Sequence, residues 1–433
     1  MLDVIKSAIP SLVKRELYSV KQKTYDQWYK KRLFKKMQIK HTELIEQVKG
    51  KQKIRVVFLA IHESVWKVDP VFKKMLEDPF FEPEILICPY TVYGEERMLE
   101  DMQQAYNYFI SKGYPVRKAR EEDGSWVKLS DIKPDIVFFT NPHNLTRKEY
   151  YEDAYLNYLS CYVPYHHEVG SFGSSESQYG QSFHAAQWAI FSSHKSSYEL
   201  FNKTSPSKCV NVFLTGYPGI EELLETKDRG SYRDVWKTND GRLRVIWAPH
   251  HIIEEHGVSQ SNFLKYSKKM KDLAKEYKDE IIWSFKPHPI LKSKLYLHPE
   301  WGVKRTNDYF DFWSSQPYTQ LNLDDYVNLF LSSDAMIHDC GSFLAEYLYM
   351  KKPVLYNLTD SHKGQFFNEF GLEALNSCNV STSLEDITVF LKSLKDKEIT
   401  EKHKLFVDTY LDEFFGYEKP SDRILNIIKE NIK

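Results

Sequence analysis

Cysteine is sparse in this chain: five residues in 433, at positions 88, 161, 209, 340 and 378, with no CxxC spacing. That scatter excludes a disulfide framework or a structural zinc knuckle and fits a reducing compartment. No apolar run approaches the ~18 residues of a membrane-crossing helix. No signal-peptide pattern is visible either, so a cytosolic protein is expected. Net charge is nearly absent, −1 from 59 basic and 60 acidic residues, which removes a whole-protein nucleic-acid footprint. Internal repeats and low-complexity stretches are missing. There is no Gly-x-Ser-x-Gly elbow for a nucleophilic serine and no HExxH spacing for zinc.

What remains is a globular chain with 42% hydrophobic and 27% charged residues, long enough for two or three domains. Ile54–Ala60 is a continuous, β-branched-rich run, as expected of a parallel strand buried on both faces. Similar runs follow at 84–88, 135–140, 161–164, 189–192 and 210–215, with helical stretches such as 95–112 between them. After a polar, turn-rich segment at 225–241, a second series starts at 243–248 and continues at 281–285, 335–337 and 353–356. Strand–helix alternation in two series predicts an α/β protein of two doubly wound, Rossmann-like domains facing a shared cleft. The expected division is a basic helical segment at 1–50, an acceptor domain at 51–225, a nucleotide-donor domain at 242–395 and C-terminal helices at 396–433. Ser383 with Asp386 forms a capping box before the helix that starts at Leu384.

Charge is uneven. Residues 1–40 hold 11 Lys/Arg against 3 acidic residues, a local net of +8, interleaved with Trp28, Tyr29 and Phe34. Such a helix can lie on anionic lipid headgroups or pack on the body of the protein. A peripheral position on the inner face of the plasma membrane is the expectation. The aromatic-rich stretch from Tyr150 to Trp188 reads either as an acceptor surface or as core.

The chemistry gathers at strand ends. Pro249-His250-His251 follows one predicted strand, Lys286-Pro287-His288-Pro289 the next, and His338-Asp339-Cys340-Gly341-Ser342 a later one. In the first series, Pro164-Tyr165-His166-His167-Glu168 occupies the same kind of position. Strand-end residues of an open parallel sheet line its ligand crevice, so four histidine-bearing ends argue for one cleft. Adjacent side chains on a strand end point to opposite sides, so one histidine of each pair is expected to enter the cleft and no metal site is expected. The Gly341-Ser342 corner leads into a predicted helix at 343–350, which aims backbone N–H groups and a hydroxyl at one spot suited to phosphate. Glu346, one turn on, shares that face and could accept hydrogen bonds from a ribose.

Taken together, Trp247-Ala248-Pro249, Lys286-Pro287-His288-Pro289 and Ser333 to Ser342 resemble the CDP-glycerol glycerophosphotransferase family, the teichoic-acid primases and polymerases, which have a GT-B fold. The resemblance is specific over roughly 243–360 and architectural over 54–220. It implies transfer of an alditol phosphate, glycerol phosphate foremost, from a CDP-activated donor to a hydroxyl of a glycan or lipid-linked acceptor, with CMP leaving. His288 would contact the donor diphosphate, and one of His166 and His167 would be the base. Pro249, His250, Lys286, Asp339, Gly341, Ser342 and Glu346 would bind the donor nucleotide and its phosphates. No cofactor is implied beyond the donor. Where the family shows a Trp-His-Gly-x-x-x-Lys context, this chain has His166-His167-Glu168 without the following lysine. Where its corner reads Thr-Asp-Tyr-Ser-Ser, this chain has His338-Asp339-Cys340-Gly341-Ser342, so that Gly341 replaces a serine. A nucleotide-sugar glycosyltransferase and a non-catalytic nucleotide- or glycan-binding protein remain as alternative readings.

Overall fold

The computed structural model describes residues 11–170, 175–254, 259–323, 326–359, 366–396 and 398–432; before Tyr25 only the backbone is described. Two all-parallel sheets organise it. The first contains β1 (Ile54–Ala60), β2 (Phe81–Ile87), β3 (Val116–Lys118), β4 (Ile136–Phe139), β5 (Leu159–Tyr162), β6 (Ala189–Ser192) and β7 (Val212–Leu214). Its spatial order is β3-β2-β1-β4-β5-β6-β7. The second contains β8 (Leu243–Ala248), β9 (Ile281–Phe285), β10 (Thr319–Leu321), β11 (Ala335–His338), β12 (Val354–Asn357) and β13 (Asn379–Ser381). Its order, β10-β9-β8-β11-β12-β13, repeats the Rossmann sequence of the first. In each sheet the strand order reverses between the first and fourth strands, which places crevices at the β1/β4 and β8/β11 ends.

The central strands form because their residues are apolar on both faces. Val56, Val57, Phe58, Ile136, Val137 and Phe138 are all fully buried, as are Val245, Ile246, Ala335, Met336 and Ile337. Three edge strands carried no sequence signal, β3, β10 and β13, each of three residues. They carry too little apolar alternation to stand out.

Helix α1 (Ser11–Val48) lies on the first domain. The helix packs on the body along one face and leaves the other open. One face buries Lys30, Leu33, Met37, His41 and Val48 against the body. The opposite face exposes Tyr25, Trp28, Tyr29 and Ile39, with Lys31, Arg32, Lys35 and Lys36 exposed alongside. Residues 1–10 of the basic segment lie outside the described residues. Among the described residues no helix is long and apolar enough to cross a membrane.

The C-terminal helices divide between the sheets. Of these, α4 (Glu401–Phe415) places Phe406, Val407, Tyr410 and Phe414 in the core below the second sheet. The next, α5 (Pro420–Ile432), returns to the first sheet and buries Ile424, Leu425, Ile428 and Ile432 in its core. Ion pairs Lys74–Asp422 and Lys429–Asp78 flank this return. At its start, Ser421 donates from N and from Oγ to the Glu221 carboxylate at 2.7 and 2.6 Å. Burial pushes the Glu221 carboxyl up to about 7, against the two donors.

Candidate active site

At the β8 end the chain leaves the strand through Pro249 and turns at His250–Ile253, where the Ile253 N–H donates to the His251 carbonyl at 3.0 Å. The His250 N–H then meets the Asp339 carboxylate at 2.6 Å. The same carboxylate accepts from the Ser261 hydroxyl at 2.9 Å and from the Asn262 N–H at 2.8 Å. Asp339, expected among the donor-binding groups, therefore has both oxygens engaged inside the protein and is 2% exposed. It anchors the loop that carries His250 rather than facing a ligand. Burial pushes its carboxyl up to about 7, opposed by those three donors.

His288 is fixed to the neighbouring strand end, its N–H donating to the Pro249 carbonyl at 3.1 Å. Its ring stands 4.2 Å from that of His251 and 5.3 Å from that of His250, and the rings of His250 and His251 are 4.3 Å apart. Both histidines of the pair thus converge on His288, because the turn after Pro249 removes the strand alternation that would separate them. The three offer ring nitrogens within 4.8 Å of one another and are the group that could hold a metal ion among the described residues. Burial, His251, Lys286 and Lys294 together hold the His288 imidazole well below its usual range. A cation would enter this lysine-flanked spot against repulsion, and an anion would be welcomed.

The predicted phosphate corner begins α2 (Gly341–Leu348), two residues earlier than the sequence pattern indicated. Gly341 is half-buried and Ser342 exposed. Glu346, on the same helix, is 1% exposed. Its carboxylate lies 3.8 Å from the Lys67 ammonium of the first domain, which also donates to the Tyr326 hydroxyl at 2.6 Å. In this arrangement Glu346 belongs to a cross-domain contact and not to an open ribose site.

His166 and His167, adjacent in sequence, fare differently. His167 is 1% exposed, boxed by Tyr217, Phe370, Tyr410 and Tyr349, with its Nε2 2.9 Å from the Tyr349 hydroxyl. Burial holds its imidazole well below the usual range. His166 is half-buried, and its Nδ1 accepts the Glu168 N–H at 2.8 Å. Burial, helped by His143, lowers it to about 4. Glu168 adopts a left-handed φ of 48°, and its carbonyl accepts from the Asn368 side chain at the start of α3 (Glu369–Asn376). Val169 then accepts from the Asn368 N–H at 3.2 Å, and Gly170 bridges to Phe367. This first-domain loop is in effect spliced into the second domain. It reaches the phosphate corner: a Cβ added to Gly341 would stand 3.7 Å from Val169 Cγ2.

Two cleft residues escaped the sequence reading. His62 follows β1 at the first sheet's crevice, its Nδ1 2.8 Å from the Ser64 hydroxyl. Lys67, five residues on, makes the contact with Glu346. The apolar run ending at Ala60 and followed by His62 was the available signal, the same one that marked His250 and His288. Most of the 150–190 aromatics proved to be core, with Tyr150, Tyr151, Tyr155, Tyr162, Tyr179 and Phe183 all buried.

Two Rossmann-ordered parallel sheets, with histidines at the strand ends, make this a GT-B-like fold. Residues 175–430, more than half of the chain, match the model of the CDP-glycerol:poly(glycerophosphate) glycerophosphotransferases, and the chain belongs to that family. It is accordingly a CDP-glycerol glycerophosphotransferase-like enzyme. No curated protein matches it by sequence. Among solved structures, the wall teichoic acid polymerase TagF superposes with a TM-score of 0.56 at 14% identity, covering 97% of each chain. The S. aureus MnaA–UDP structure gives 0.53 at 17% identity, over 88% of this chain and 96% of that one. A UDP-N-acetylglucosamine 2-epimerase gives 0.51 at 17% identity, over 85% and 98%. At these identities the likeness establishes the fold alone.

Proposed function

We propose that this enzyme transfers glycerol phosphate from CDP-glycerol to a hydroxyl of a glycan or lipid-linked acceptor in teichoic-acid-type polymer synthesis, releasing CMP. The observation that carries the reading is the meeting of the His166 loop with the Gly341 corner, beside the His250–His251–His288 cluster. In this reading His288, Lys286, His250 and the first turn of α2 with Ser342 hold the diphosphate, and His166 works on the acceptor side. His167 is left as a structural ring between the domains. The reading requires no metal, since fixed N–H donors and Lys286 supply the neutralising charge.

Calorimetric titration of CDP-glycerol, CDP-ribitol, CDP and UDP-sugars tests it, with a CMP-release assay alongside. Selective binding of CDP-glycerol is expected, and His288→Ala is expected to lower transfer by about 10²–10³, as for removal of one preorganised donor. Preference for a UDP-sugar, with glycoside formation, would overturn the reading in favour of a glycosyltransferase. Full activity of His288→Ala would remove the assigned donor site.

The exposed face of α1 is proposed to contact anionic lipid. Its Tyr25, Trp28 and Tyr29 rings sit among four exposed basic side chains, the combination suited to a headgroup layer. Cosedimentation with vesicles is expected only when they contain anionic lipid. Each of Lys31, Arg32, Lys35 and Lys36 should contribute up to about 1 kcal/mol, so reversing all four to glutamate should abolish binding. Equal binding of that variant would rule the face out.

A further inference from the structure

Three of the strand-end histidines share a local device. The His250 Nδ1 accepts the Ile252 N–H at 3.3 Å, the His288 Nδ1 accepts the Ile290 N–H at 3.3 Å, and the His166 Nδ1 accepts the Glu168 N–H at 2.8 Å. In each case the donor is the backbone amide two residues on, so the ring closes a small turn with its own chain. A backbone amide can only donate, so each Nδ1 must present its lone pair. A neutral imidazole has one lone pair and one N–H. The proton of all three rings therefore sits on Nε2.

We infer that His166, His250 and His288 act on the substrate as fixed, neutral Nε2–H hydrogen-bond donors, and that His166 is an electrostatic donor rather than the general base. The inference rests on the transfer reading above and refines the roles within it. The turn excludes the imidazolium form as well, because a protonated Nδ1 would face the amide hydrogen. The surroundings agree: His288 is faced by His250, His251, Lys286 and Lys294, and His166 by His143, His167 and Tyr165. The same tautomer argues against metal at the three-histidine cluster. A ligating Nε2 needs its lone pair there, with the other ring nitrogen donating its hydrogen to a partner. Here the other nitrogen accepts.

The transfer balances without a histidine base. The acceptor oxygen bonds to the glycerol-bearing phosphorus as the bond from that phosphorus to the bridging oxygen breaks. CMP leaves with that oxygen and the electron pair. The hydroxyl proton passes to the departing phosphate, whose second ionisation lies near ~6, and on to solvent. The N–H donors offset charge on the phosphoryl oxygens throughout.

Asparagine and glutamine separate the two roles. Asparagine can keep the turn by accepting the i+2 amide but offers nothing at the Nε2 position; glutamine offers an N–H there. His166→Gln is expected to retain transfer within about tenfold of wild type, whereas His166→Asn should lose about 10²–10³. The same pattern is expected at His288. A base would instead show Gln and Asn equally disabled, by about 10²–10⁴, and that result overturns the inference. A second arm is independent of activity and of the transfer reading: long-range ¹⁵N–¹H correlation of the histidine rings in the full chain. Signals assigned by their loss in each variant should show a protonated Nε2 and an unprotonated Nδ1. A protonated Nδ1 on His166 or His288 would refute the assignment. Absence of transfer from CDP-glycerol by the wild type would instead remove the reading of function and leave the ring assignment standing.

Discussion

Asp339→Ala is expected to cost the protein its donor binding and about 3 kcal/mol or more of stability. Its carboxylate is the common acceptor for His250 N–H, Ser261 Oγ–H and Asn262 N–H, and all three donors are buried. A buried donor left unsatisfied costs about 1–3 kcal/mol, so three should cost several. Removing a desolvated carboxylate returns part of that, which places the expectation at the lower end. The burial that pushes the carboxyl up to about 7 sets the pH dependence. Its folded value lies above its ordinary value, so the native state holds the proton more tightly between about 4 and 7. Wild-type stability from this group is present below that window and fades as the pH rises through 7. The gap between wild type and Asp339→Asn should therefore narrow from pH 6 to pH 8. Urea unfolding at both pH values and calorimetry with CDP measure the two effects. An Asp339→Ala protein that binds CDP normally would show that the 250–262 loop holds itself.

Gly371→Ala should be as damaging through a different route. A Cβ at this position would land on the Val169 carbonyl oxygen and 2.8 Å from the Val169 carbonyl carbon, both backbone atoms that cannot rotate away. Overpacking in a fixed core costs about 1–3 kcal/mol and sometimes more. Here the clash falls on the splice between domains, where Asn368 bonds Glu168 and Val169, and where the Asn368 side chain caps α3 through the Gly371 N–H at 2.8 Å. Undocking the 165–170 loop would carry His166 away from the Gly341 corner. The expected outcome is a lower melting temperature together with a loss of kcat that exceeds the loss of CDP affinity. A stable, fully active Gly371→Ala enzyme would mean that the loop can shift without consequence.

The architecture was legible in the sequence wherever strands are buried on both faces. Ile54–Ala60, Ala189–Ser192, Leu243–Ala248 and Ile281–Phe285 emerged with the boundaries their apolar runs announced. The edge strands β3, β10 and β13 were not legible, because pairing rather than patterning defines them, whereas β7, equally short, showed in the apolar run at 210–215. Strand-end histidines marked the site because a parallel sheet places its crevice at those ends. What each one does there was not legible. His167 is buried by Tyr349, Phe370 and Tyr410, residues some 180 to 240 positions away in sequence. The convergence of His250 with His251 depends on a turn that alternation rules do not describe. Asp339 looked like a ligand group because nothing local reveals that a loop 77 to 89 residues away would claim its carboxylate.

The return of α5 to the first sheet has a consequence for how this protein is made. Ile424, Leu425, Ile428 and Ile432 complete a core whose other members are encoded before residue 213. On the ribosome, the first domain waits with part of its apolar surface uncovered while the whole second domain is synthesised. Domains usually mature one after another as they emerge, but here the two must be finished together. That interval leaves the short helix Asp69–Glu77 without the partner that α5 later provides. Nascent chains of this protein are thus natural clients for chaperones until the last crossing is made.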